Sequence, residues 1–201
     1  MFHNAFPLLE RISTARNGPR PRPVDRRLSI SIRPVSPREL ESLLPALVEL
    51  LKDTVNGGAP MGFLPPLTRD EARDYWLSLR PELQAGSRLV LAAFDAYGIV
   101  GSGQLLLSPW PNSRHRADLQ KIFVATALRG RGVGRLLMTA LHAVARQHGR
   151  SLLLLNTRRG EPAEKFYKGL GYAEVGVIPG WTVGPQGERY DHVTLYQELS
   201  S

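Results

Sequence analysis

The sequence predicts an α/β fold of the α+β type, with one mixed, mostly antiparallel central sheet flanked by helices. Two observations carry this. The apolar period switches along the chain to give the order strand, two helices, three strands, helix, strand, helix, two strands. In addition, the middle strands are joined by a connection too short for anything but an antiparallel hairpin. The strict strand–helix alternation of a doubly wound dinucleotide fold is absent.

Each element has its own signal. Residues 28–32 alternate apolar Leu28, Ile30 and Ile32 with serines, a strand pattern. Ser36-Pro37-Arg38-Glu39 reads as a capping box with Pro at the first helical position. The helix behind it carries Leu40, Leu43, Leu44, Leu47, Leu50 and Leu51 and stops at Asn56-Gly57-Gly58; Pro45 is expected to kink or split it. A Gly/Pro-rich loop with Met61 and Phe63 follows. Thr68-Arg69-Asp70-Glu71 is a second capping box, ahead of Ala72, Tyr75, Trp76, Leu79 and Leu83 at helical spacing. Residues 88–96 and 99–108 are apolar runs around a turn at Tyr97-Gly98, and residues 117–125 make a third strand. A helix is expected over 134–148, with Leu136, Leu137, Ala140, Leu141, Val144 and Ala145 as its stripe and Gly149 as its stop. Then come a short buried strand over 152–156, a helix over 162–170 opened by Pro162, and closing strands over 174–178 and 193–199. No internal repeat is seen.

The totals bound the function. The chain of 201 residues suits one domain and can bury roughly 70% of its extended surface. It contains no cysteine, which excludes disulfides, thiolate metal sites and a cysteine nucleophile, and leans toward a reducing cytoplasm. No apolar run approaches the ~20 residues of a membrane span, and the N-terminus lacks a signal-peptide pattern. The five histidines are scattered without ligand spacing, so no metal is expected. Net charge is +8, and about half of the excess lies in residues 1–27, where Arg11, Arg16, Arg20, Arg22, Arg26 and Arg27 face only Glu10 and Asp25. That Pro/Arg-rich stretch is expected to be a poorly ordered extension, with a single domain over 28–201. A tighter basic cluster occupies 129–135. Its glycines favour a small polyanion over nucleic acid as its partner.

That cluster, Arg129-Gly130-Arg131-Gly132-Val133-Gly134, lies between a strand and a helix. Glycines let successive N–H groups converge on one point, and a helix N-terminus adds about half a positive charge there. The result is an anion site suited to a pyrophosphate, with Arg129, Arg131 and Arg135 adding charge. Alone, the loop could equally be a tight turn with solvated arginines. A dinucleotide site would want GxGxxG in a parallel unit, whereas this loop reads GxGxG.

At this point the sequence resembles the GNAT superfamily of N-acetyltransferases. Arg129, Gly132 and Gly134 meet its Arg/Gln-x-x-Gly-x-Gly/Ala signature, and Ala163, Phe166, Tyr167, Gly171 and Tyr172 meet a second block at matching separation. Residues 53–63, Gln120-Lys121-Ile122-Phe123-Val124 and residues 175–180 look like the tabtoxin-resistance type, whose members acetylate a small amino-acid-like toxin.

The resemblance implies acetyl-CoA as co-substrate and a small-molecule amine as acceptor. No nucleic acid or membrane partner is implied, and a homodimer is allowed. Phe123 and Val124 would pair with the pantetheine arm through their backbone, and the amides of Gly130, Arg131, Gly132, Val133 and Gly134 would hold the pyrophosphate. Tyr167 matches the tyrosine beside the thioester sulfur, where a phenol can protonate the departing thiolate. Asn156 stands where the tabtoxin-resistance type carries an acid, so Asp118 is the remaining acid for a base or a relay. Gly160 replaces an asparagine that touches the cofactor in many relatives. Asp53, Asn56, Met61, Phe63, Trp76 and Trp181 are candidates for the acceptor pocket, although core packing is the simpler role for each tryptophan. A peptide or protein N-terminal acetyltransferase, a non-catalytic acyl-CoA sensor and a basic nucleic-acid-binding module are the alternatives.

Overall fold

The computed structural model describes residues 29–59 and 61–200, so the basic extension and Leu28 lie outside the described residues. In chain order the elements are β1 (Ser31–Pro34), α1 (Leu40–Asn56), α2 (Arg69–Ser78), α3 (Arg80–Gln84), β2 (Arg88–Asp95) and β3 (Gly98–Leu107). These are followed by β4 (Arg116–Val124), α4 (Val133–Gln147), β5 (Leu152–Arg158), α5 (Pro162–Lys168), β6 (Ala173–Val183) and β7 (Arg189–Glu198). The strands form one sheet in the order β1-β2-β3-β4-β5-β7-β6. Every pairing is antiparallel except β4 with β5. The expected mixed sheet is therefore present. No described helix is long and apolar enough to cross a membrane.

Both capping boxes form. At Thr68 the hydroxyl accepts from the Glu71 N–H at 3.2 Å, while the Glu71 carboxylate accepts from the Thr68 N–H at 2.9 Å. Ser36 and Glu39 make the same reciprocal bonds one turn ahead of α1. Three expectations are corrected. Pro45 does not split α1, which runs unbroken over 17 residues. The proline lies on the exposed face near the helix start, so the carbonyl it leaves unbonded points away from the core. The second helix does divide, into α2 and α3, because Pro81 has no N–H to continue the ladder. The strand expected over 174–178 extends to Val183 through register shifts against β7, which pattern reading of a straight strand misses.

The two faces of the sheet are covered by different helices. Leu47, Leu51, Val55 and Trp76 from α1 and α2 pack with Val90, Ala92 and Phe123 on one face. On the other, Met138, Leu141 and Ala145 of α4 and Tyr167 of α5 pack with Leu105, Ala117, Leu119, Leu153, Leu155 and Leu195. Strand β4 contributes to both. Ala117 and Leu119 face α4, yet Phe123, also odd-numbered, faces α1 and α2. A bulge reverses the alternation: Gln120 pairs with Gln104 and Phe123 with Ser102, so β4 carries one residue more than β3 there. Lys121 sits in this bulge with φ of +50°, the sole positive φ at a non-glycine among the described residues.

Candidate functional site

The bulge lies beside a gap in the sheet. Strands β4 and β5 pair only from Arg116–Asp118 to Leu152–Leu154, although β4 runs on to Val124 and β5 to Arg158. Beyond Asp118 the strands diverge. The edge of β4 that faces β5 thus keeps backbone donors and acceptors that no described strand uses, and such groups seek a partner. Phe123 and Val124 close this unpaired stretch of β4, where the Val124 carbonyl accepts from Arg129 Nε at 3.5 Å. The Phe123 side chain is buried against Trp76, with ring centroids 6.5 Å apart, so it offers no side-chain surface to a ligand.

The glycine loop stands at the open end of the gap. Gly130 and Gly132 have φ of +74° and +85°, conformations that cost an L-residue with a side chain about 1–2 kcal/mol. Gly132 caps α4 in this left-handed state, without a side-chain cap bond. The first N–H groups of α4 therefore remain available for an anion. Val133 is buried, so it too can contribute only its N–H. Gly134 is different: it is helical, and an added Cβ would make ordinary contact with the Phe166 ring at 3.5 Å. Arg129, Arg131 and Arg135 are exposed, and none joins an ion pair among the described residues. Backbone nest, helix terminus and exposed guanidinium groups together suit the phosphate groups of a bound polyanion.

Tyr167 is buried among apolar side chains on the α4–α5 face, edge-on to Tyr172 at 5.9 Å. Burial raises its pKa well above the ordinary phenol value, so it keeps its proton throughout the neutral range. Tyr172 in turn bonds His142 Nε2 at 2.8 Å, and burial followed by the nearby Arg146 lowers the His142 pKa.

Asp118 and Asn156 belong to the opposite face. Asp118 alternates with Ala117 and Leu119, so it points toward the α1–α2 side. Burial raises its pKa, opposed by the charge of Arg116. Asn156, two residues beyond the partner of Asp118 on β5, shares that side and is exposed.

The proposed pocket residues divide. Trp76 has no exposed surface, and its indole N–H donates to the Leu47 carbonyl at 3.0 Å; the ring is core and lines no pocket. Asp53 accepts from the Thr126 N–H at 2.7 Å, and Asn56 accepts from the Leu67 N–H at 2.8 Å. Both tie the end of α1 to neighbouring loops, though both also line a shallow cavity of about 420 Å³ with Lys52, Gly57 and Thr126. Met61 and Phe63 lie together over Lys121, which donates to the Met61 carbonyl and stands 5.1 Å from the Phe63 centroid. Trp181, about half exposed on β6, stacks on His192 of β7 at 6.0 Å.

Sequence reading missed a polar network on the α1–α2 side. Arg88 bonds Gln104 at 2.8 Å, Gln120 at 2.9 Å and the Glu82 carboxylate, and Gln104 bonds the Tyr75 hydroxyl. Burial pushes the Tyr75 phenol up to about 12. The one available signal was polar Arg88, Gln104, Gln120 and Lys121 inside runs that otherwise read as buried strand.

Residues 85–174 match the family described as Acetyltransferase (GNAT) domain. The "Putative phosphinothricin acetyltransferase YwnH" of Bacillus subtilis (strain 168) is 27% identical over 173 residues, spanning 85% of this chain and all of that protein. A crystal structure described as a putative phosphinothricin N-acetyltransferase is 26% identical, with a TM-score of 0.68 over 86% of this chain and 100% of that one. Salmonella typhimurium yncA, solved with its cofactor acetyl-CoA, shares the fold at 18% identity, with a TM-score of 0.67 over 86% of this chain and 95% of that one.

Proposed function

We propose that this chain is an acetyl-CoA-dependent N-acetyltransferase of the GNAT type that moves the acetyl group directly to a primary amine of a small, amino-acid-like molecule. The observation that carries the reading is the gap between β4 and β5, with the left-handed glycine loop at its mouth. Acetyl-CoA supplies the activated thioester. The β4 edge at Phe123 and Val124 binds its arm, and the loop amides with Arg129, Arg131 and Arg135 bind its phosphates.

Tyr167 donates a hydrogen bond to the sulfur as the thioester breaks. Its raised pKa makes complete proton transfer to a thiolate uphill, so its contribution is stabilisation of developing charge. Asp118 takes the proton from the acceptor ammonium, directly or through water; its raised pKa makes it a stronger base than an exposed aspartate. Asn156 orients the acceptor or that water, because an amide cannot accept the proton usefully. Direct transfer is consistent with a chain that has no cysteine. The relatives named for phosphinothricin support a small amine, and the motifs shared with the tabtoxin-resistance type support an amino-acid-like one. Loss of the acid at Asn156 favours one competing reading, a sensor that binds acetyl-CoA without turnover.

Thiol release from acetyl-CoA across amino acids, phosphinothricin, polyamines, aminoglycosides and short peptides tests this. The expected result is release with one class of small amine. Release with peptides alone, or with nothing while acetyl-CoA still binds, would replace the reading.

A further inference from the structure

Lys121 has a setting that neither the loop chemistry nor the core explains. It is half-buried, projects from the β4 bulge onto the acceptor side, and lies under the loop after α1. Its ammonium has three donors but, among the described residues, makes one hydrogen bond, to the Met61 carbonyl. The Phe63 and Tyr75 rings flank it, with centroids 5.1 and 5.4 Å away. The loop backbone closes against it at Gly62, where φ is +80° and a Cβ would come 2.9 Å from the nitrogen. The neighbouring cation Arg88 is answered by Glu82, whereas no ion pair among the described residues includes Lys121. A desolvated cation with spare donors and no counter-charge is costly unless something anionic completes it. Burial and the charge of Arg88 lower its pKa, which agrees with a missing counter-ion.

We infer that Lys121 receives the carboxylate, or an equivalent anionic group, of the acceptor molecule, and so makes the enzyme selective for zwitterionic amines. The inference rests on the small-amine reading above. The rings and the Met61 carbonyl hold the ammonium in place, and its two remaining N–H groups supply charge-assisted bonds to the incoming oxygen atoms. Asp118 lies on the same side of the same strand, three positions back. An acceptor carrying both charges would thus meet acid and base in a fixed order along β4. Gly62 matters because a side chain there would occupy the ammonium's place.

The test compares the best amino-acid acceptor with its carboxamide, in the wild type and in Lys121→Met, which keeps the length and apolar stem of the side chain. In the wild type the acid should exceed the amide in kcat/KM by roughly 10-fold or more, the scale of a charge-assisted hydrogen bond. In Lys121→Met that ratio should fall toward unity through KM for the acid, with the acetyl-CoA KM unaltered, and Lys121→Arg should restore part of it. If the wild type uses acid and amide equally, or if Lys121→Met depresses both alike, Lys121 is only a latch for the loop and the inference is overturned. If no small amine is acetylated at all, the functional reading falls first and takes this inference with it.

Discussion

The two sides of the gap are built by different means. The side that fits acetyl-CoA is made of backbone: a strand edge without a partner beyond Asp118, two left-handed glycines and a helix N-terminus. The proposed acceptor side is made of side chains from distant elements, with Phe63 from a loop, Tyr75 from α2 and Lys121 from β4. A backbone site needs a fixed local pattern, so it recurs across a superfamily and can be read from a few residues. A side-chain site depends on which residues the fold brings together, and it can vary without touching the cofactor.

That contrast can be broken at several points. The largest effect is expected at Trp76. If it is core, Trp76→Ala should cost about 3–5 kcal/mol of stability in urea unfolding. A stable variant with an altered acceptor KM would return the ring to the pocket. Tyr167→Phe should lower kcat by about 100-fold, the lower end for loss of one preorganised hydrogen-bond donor to developing charge, with little change in the acetyl-CoA KM. An unaltered kcat in rapid-quench turnover would reduce Tyr167 to packing. Gly132→Val sharpens the backbone side. An added Cβ meets nothing within 4 Å, so strain alone acts, and the acetyl-CoA KM should rise by about 10-fold while the acceptor KM holds. Equal loss for both substrates would mean that the loop serves the whole site.

The smallest effect concerns the support behind Tyr167. The folded pKa of His142 is lowered by burial and by Arg146, so the folded state takes up its proton less readily than the unfolded chain does. Its contribution to stability is therefore present above the unfolded value of about 6.5 and is lost as pH falls through the lowered folded value. Unfolding midpoints at pH 7 and pH 5 should show this slope, and His142→Gln should flatten it. A slope unchanged in the variant would assign it to another group.

Legibility follows the same division. The run of strands and helices along the chain, both capping boxes and the glycine loop were readable because each is a local pattern with a local cause. The β4 bulge was not, since a single extra residue leaves no mark in an apolar run such as Ile122-Phe123-Val124. Missing it concealed Lys121, which a regular strand would have turned to another face. Trp76 could be placed on a helix stripe, but its enclosure depends on α1 and β4 together. The contacts of Asp53 with Thr126 and of Asn56 with Leu67 were not readable, because those partners lie far along the chain.

The central claim is that the divergence of β4 from β5 is where acetyl-CoA binds. Amide hydrogen exchange with and without acetyl-CoA tests it most directly. The account predicts slowed exchange over residues 119–124 and 129–134, with little change at the β6–β7 hairpin. Protection that bypassed the β4 edge and the glycine loop, with acetyl-CoA demonstrably bound, would contradict it.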